Sequence, residues 1–213
     1  SGTTLGGTVA LGGTLNINVA TELATGLALS GTGTLNVNST LTVTPDFTFT
    51  IPTINLVGTI AGAGTKTYAS GSTLNLTGRL TGGDHVFAIG STVNANGGDF
   101  YTTTLHNHGT FNWLSGNLND DCYLPSGTFV NEADGVVNIN TPADQLWRET
   151  YVTNHGTIHK NTAFLTNFAN PCSPGSFTNA AGGILDIPAG ATVQFTSGTT
   201  LGGTVALGGT LNI

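Results

Sequence analysis

Short alternations of apolar and polar residues run along this chain from end to end. Thr14-Leu15-Asn16-Ile17-Asn18, Thr34-Leu35-Asn36-Val37-Asn38, Thr73-Leu74-Asn75-Leu76 and Thr92-Val93-Asn94-Ala95-Asn96 share one form. Successive strand residues face opposite sides, so Leu, Ile and Val turn inward while Thr and Asn turn outward. Gly commonly precedes these runs, as a turn residue does, and few stretches carry a helical period. The leading Thr, or its equivalent, falls at 14, 34, 53, 73, 92, 110, 128, 157, 176, 192 and 210. Most intervals are 16–20 residues, and the one from 128 to 157 is 29. A short period of this kind predicts a solenoid. One coil per interval gives ten coils over the 196 residues from Thr14 to Thr210, about 48 Å at the inter-strand spacing. The long interval holds Pro142-Ala143-Asp144-Gln145-Leu146-Trp147-Arg148-Glu149 and predicts a loop or short helix leaving the stack near residues 141–151. Residues 39–60 alternate strongly but are interrupted by Pro45 and Pro52.

A longer repeat overlies the short one. Residues 197–213 match residues 1–17 at every position. This predicts a unit spanning 1–196, with 197–213 as the start of the next identical unit. Ser197, Gly198, Leu201, Leu211 and Ile213 then mark the repeat junction. The natural chain is expected to continue past Ile213 with Asn-Val-Ala-Thr-Glu-Leu, as at Asn18–Leu23. An engineered duplication is the alternative. Within the C-terminal half, Asn107-His108-Gly109-Thr110-Phe111 recurs as Asn154-His155-Gly156-Thr157-Ile158. Residues 127–139 likewise recur at 175–187, so a block of about two coils reads as duplicated.

Composition narrows the function classes. Only 7% of the 213 residues are charged, against about 25% in an average soluble domain. The net charge is −7, with Lys66, Arg79, Arg148 and Lys160 the four cations. Nucleic-acid binding needs clustered cations, so no nucleic-acid partner is expected. No apolar run is long enough for a membrane span. Low charge suits a stack, because identical coils would set like charges about 5 Å apart.

Runs such as Gly-Thr-Leu-Asn-Ile-Asn, Asn-His-Gly-Thr-Phe-Asn and Phe-Thr-Asn-Ala-Ala-Gly-Gly-Ile-Leu-Asp-Ile carry a likeness. Over most of its length the chain resembles bacterial filamentous-haemagglutinin-like surface proteins and related giant tandem-repeat adhesins. The resemblance implies a right-handed parallel β-helix, export, and a stalk or adhesive filament. It carries over no catalytic residue.

Candidate chemistry is sparse. His106 and His108 lie on one face of a strand, and with His155, His159 and the pair Asp120-Asp121 they could compose a metal site. A turn whose imidazole bonds locally is the competing reading. Gly82-Gly83-Asp84 and Gly97-Gly98-Asp99 read as tight turns. Trp113, Trp147 and Tyr151 read either as a sugar-stacking platform or as core. The Thr-x-Thr pairs Thr32/Thr34, Thr40/Thr42/Thr44, Thr48/Thr50, Thr65/Thr67 and Thr102/Thr104 would suit ice binding if they recurred in ranks. Cys122 and Cys172 sit in matching turn-rich settings, and a bridge between them is expected in an exported protein. No nucleophile, acid–base pair or cofactor motif emerges, so neither an enzyme nor a cofactor is expected.

The expected fold is therefore all-β, a single parallel β-helix of about ten coils per unit. The expected function is a structural repeat of an extracellular fibre or cell-surface stalk, polymerising by coil-on-coil stacking. Its partners would be neighbouring copies of the same unit, with the cell surface or a polysaccharide as a further partner. The alternative is a binding module, an adhesin or an ice binder, that uses one face of the solenoid.

Overall fold

The computed structural model describes residues 2–119, 126–169, 175–196 and 198–213. Thirty strands and no helix make up the described residues, and every strand pairing is parallel. They wind as a β-solenoid of about ten turns with three faces.

Each turn visits the faces in the same order. Face 1 begins with Thr3–Leu5, face 2 with Thr8–Leu11 and face 3 with Thr14–Ile17. Face 3 is an unbroken ten-stranded sheet from Thr14–Ile17 to Thr204–Leu207. Face 2 opens as the pair Thr8–Leu11 and Ala28–Gly31. It then runs as eight strands from Phe47–Phe49 to Gly198–Leu201. Face 1 has six strands down to Asp99–Tyr101, then four from Gln145–Arg148 to Thr210–Asn212. Leu118 joins its two halves by bridging Trp147, while Asn119 bonds the Phe100 backbone from its side chain.

Sequence and register explain the core. On face 3 the register pairs Leu15, Leu35, Ile54, Leu74 and Val93 coil upon coil, and all but Leu15, in the end coil, are fully buried. Phe49, Tyr68 and Phe87 stack on face 2 with centroids 5.3 and 4.7 Å apart. Lower down, Trp147 stacks on Phe111 and Phe168 and meets Trp113 and Phe129 edge-on. Such stacks bury about 150–250 Å² per ring, which lets a narrow solenoid hold a dense interior.

Two expectations are corrected here. Residues 141–151 do not leave the stack: Gln145–Arg148 is a face 1 strand, and Trp147 lies in the core. The leading residues also do not keep to one face. Thr14 to Thr110 lead face 3 strands, but Thr128 and Ser176 lie on face 2, and Thr192 and Thr210 lie on face 1. The face 3 positions after Thr110 are Val136, Thr157, Ile184 and Thr204. Strands of all three faces open on Thr, so a spacing count slips between faces without losing its rhythm. The internal repeat has an offset of two coils, since Asn107 and Asn154 occupy one column with Asn131 between them.

The slip changes the long repeat. Thr3–Leu5 lies on face 1, whereas its twin in Gly198–Leu201 lies on face 2. Counting the Leu118 segment, twenty-eight strand positions separate the two, which is nine coils and one face. The rise between copies is then about 45 Å.

Candidate functional site

The most ordered surface is the outside of face 3. Asn36 Nδ2 donates to Asn16 Oδ1 at 2.7 Å, and the pattern repeats through Asn55, Asn75, Asn94, Asn112 and Asn138 at 2.8–3.1 Å. Seven coils thus share one outer asparagine ladder. His159 and Asp186 continue the column, paired Nδ1 to Oδ2 at 3.0 Å. Two residues earlier on each strand stand Thr14, Thr34, Thr53, Thr73, Thr92 and Thr110 in register. The result is a two-column lattice, spaced about 4.8 Å between coils and about 6.6 Å across the strand. From Asn36 onward each ladder amide spends one N–H along the stack and keeps a second donor.

A second ladder lies inside. Asn107 donates to Asn131, Asn131 to Asn154 and Asn154 to Asn179, at 2.7, 2.8 and 2.7 Å, and all four side chains are buried. Their amides also bond turn and strand carbonyls, as Asn131 does with Gly135 and Thr157. These residues close face 2 strands and fix the corner that follows. The sequence reading missed them, although a signal existed. Each sits two residues after an inward apolar side chain, as in Leu105-His106-Asn107 and Phe177-Thr178-Asn179, and so must itself face inward.

The interior also holds cations. Lys66 and Lys160 occupy inward positions and are fully buried. Burial lowers the Lys66 ammonium to about 8 against an opposing pull from Asp84. Its Nζ donates to the carbonyls of Gly62 and Gly82. Lys160 is lowered to about 8 by burial, with Asp144 opposing, and its Nζ donates to Thr162 Oγ1 at 2.6 Å. Beside Lys66, the Tyr68 hydroxyl and His85 Nδ1 share a hydrogen bond at 3.1 Å. Burial first, and the Lys66 charge second, push His85 down to about 3, against the backbone of Thr81. This group braces the interior rather than opening to solvent.

The predicted histidine cluster is not one cluster. His106 pairs with Glu132 and His108 with Asp134, each at 2.8 Å, at the end of face 2, while His159 lies on face 3. His155 is exposed at the turn after Asn154. Among the described residues no three His, Cys, Asp or Glu side chains gather as metal ligands. Asp120, Asp121, Cys122, Cys172 and Ser197 lie outside the described residues. Trp113 and Trp147 are core, and only Tyr151 reaches the surface. The Thr-x-Thr ranks are broken: Thr40 and Thr42 on face 1 pair with Thr59 and Ala61, and Arg79 follows beneath Thr59.

The repeated seventeen residues form the first and last coils described. Leu5, Val9 and Leu15, and their twins Leu201, Val205 and Leu211, are only partly buried against the core. Leu207 is 55% and Ile213 80% exposed. Comparison with protein-family models, curated proteins and solved structures finds no match to this chain.

Proposed function

We propose that this chain is a structural repeat unit of an extracellular fibre or cell-surface stalk that lengthens by stacking coil on coil. The observation that carries the reading is that face 3 is an unbroken ladder of ten parallel strands, flanked by parallel ladders on faces 1 and 2 that are each interrupted once, so strand edges are presented along the axis. Unprotected strand edges recruit further strands. Low charge, two asparagine ladders and buried aromatic stacks all act along the axis, which is the direction in which a stalk bears load. The likeness to filamentous-haemagglutinin-like proteins and giant adhesins supports the same reading at the level of repeat composition. Electron microscopy of the purified chain over rising concentration tests it. Unbranched rods that lengthen are expected, and single units at every concentration would overturn it.

A second reading rests on the face 3 lattice. Regularly spaced hydroxyls, methyls and amide donors suit binding to a surface that is itself periodic, a polysaccharide or ice. Thr53→Lys with Thr73→Lys would spoil such binding while leaving the core unchanged. Retention of the unmodified chain on insoluble glycan or ice, lost in this variant, would favour the binding module over the stalk.

A further inference from the structure

We infer that the C-terminal coil of one copy docks on the N-terminal coil of a second copy in one register, with the second copy rotated by one face. The inference rests on the stalk reading and names its junction.

The argument comes from the repeated seventeen residues, which the structure shows hydrogen-bonded on both sides. As residues 2–17, the coil accepts from the coil that follows: Ala24, Ala28, Gly33 and Thr34 N–H groups donate to the carbonyls of Leu5, Gly7, Leu11 and Gly13 at 2.8–2.9 Å. As residues 198–213, the same sequence donates to the coil that precedes. The N–H groups of Gly202, Thr204, Gly209 and Thr210 reach the carbonyls of Asn179, Gly183, Ile187 and Ala191 at 2.8–2.9 Å. The carbonyls of Leu201, Gly203, Leu207 and Gly209 are therefore twins of carbonyls already seen accepting. The N–H groups of Gly6, Thr8, Gly13 and Thr14 are likewise twins of ones already seen donating.

Both patterns predict the same junction. Gly6 donates to Leu201 of the other copy, Thr8 to its Gly203, Gly13 to its Leu207 and Thr14 to its Gly209. Thr14 comes to lie on Thr210 and Asn16 on Asn212, extending an asparagine contact of the kind Asn16 already makes with Asn36. Leu5, Val9 and Leu15 cover Leu201, Val205 and Leu211. Neither coil contains a charged residue, so no like charges meet.

Rotation follows from the register. Thr3–Leu5 lies on face 1 and its twin in Gly198–Leu201 on face 2. Docking twin on twin therefore sets face 1 of the second copy beneath face 2 of the first.

Disulfide trapping on the full chain tests this. Asn16→Cys/Asn212→Cys places thiols nine coils apart within one copy but on adjacent coils across the junction. There the Cα separation is about 4.8 Å, inside the range of about 4.4–6.8 Å that a disulfide spans. Mild oxidation should give a ladder of dimers, trimers and longer species on non-reducing gels, several-fold above the unmodified chain with Cys122 and Cys172. Thr4→Cys/Asn212→Cys, which would be joined if copies stacked without rotation, should stay at the background level. Mixing the two single variants Asn16→Cys and Asn212→Cys should stop at dimers above that background. Rods in the microscope without the Asn16/Asn212 ladder, or a stronger ladder from Thr4/Asn212, would overturn the junction while leaving the stalk reading in place. No rods and no ladder would overturn both.

Discussion

Asn131 Nδ2 donates to Asn154 Oδ1 one coil along at 2.8 Å, with both side chains fully shielded from solvent. The same amide reaches the carbonyls of Gly135 and Thr157, and Asn131 Oδ1 accepts from Asn107. Asn131→Leu keeps the volume but leaves those buried groups without a partner, each at a cost of about 1–3 kcal/mol. The expected loss is at least about 3 kcal/mol. Asn55→Leu removes two similar bonds from the outer ladder, where water can replace them, and should cost below about 1 kcal/mol. Urea unfolding followed by circular dichroism checks the contrast, and equal losses at the two sites would refute it.

Glycine corners separate space from backbone conformation. A Cβ on Gly78 would lie 2.1 Å from the Gly58 carbonyl and 2.5 Å from that of Val57. Gly71 adopts φ +81° but has nothing within 4 Å of where its Cβ would stand. Gly78→Ala must push two coils apart and should cost about 2 kcal/mol or more. Gly71→Ala bears only the left-handed backbone, about 1 kcal/mol. Thermal unfolding of the two variants should rank them in that order.

Much of this architecture was legible because its signals are local. Thr14-Leu15-Asn16-Ile17 states its own inward and outward sides, and the spacing of such runs announces coils. The face of each coil was not legible. Thr110 and Thr128 look alike in sequence, yet they lie on faces 3 and 2, since the number of strands between two threonines depends on corners that glycine makes in varying lengths. Trp147 misled for a related reason: Pro142 and Asp144 mark a turn, but the indole behind it fills the core. Lys66 and His85 also resisted, because charged and polar residues are ordinarily surface residues. Only their place in the alternation, between Phe47 and Tyr68 or before Phe87, sets them inward.

His85 makes the fold acid-sensitive. Its folded value of about 3 lies below the ordinary 6.5. Between those values the unfolded chain binds a proton that the folded chain refuses. Stability therefore rises with pH through this window and is lost as pH falls from 6.5 toward 3. Denaturant midpoints from pH 7 to pH 4 should drop more steeply in the unmodified chain than in His85→Gln, which stays neutral beside Tyr68. Parallel curves would rule His85 out as the source.

The alkaline side has two opposed contributions. Lys66 and Lys160 are held near 8 rather than 10.5, so between those values the unfolded chain carries more protons and stability rises with pH. Burial raises the Tyr68 hydroxyl. Above its ordinary value of about 10 the unfolded chain gives up a proton that the folded chain keeps, and stability falls. The expected profile climbs from pH 8, peaks near pH 10 and then declines. Lys66→Met should flatten the climb and Tyr68→Phe the decline, both read from denaturant midpoints across pH 8–11. A profile unchanged by either substitution would contradict the assignment.

Filament geometry gives the most exacting outcome. If copies dock as inferred above, each advances thirty-one strand positions, which is ten coils and one face, and identical surfaces return to the same side only after three copies. The face 3 asparagine lattice then winds around the rod instead of forming a single stripe along it. In an untwisted stack the axial rise per copy is about 50 Å and the full repeat is thirty-one coils, about 149 Å, over a meridional spacing of about 4.8 Å. Oriented-fibre diffraction or helical reconstruction can read all three periods from one specimen. A full repeat equal to the unit rise would mean that successive copies stack without rotation. The one-face offset between Thr3–Leu5 and its twin in Gly198–Leu201 would then not govern how copies meet.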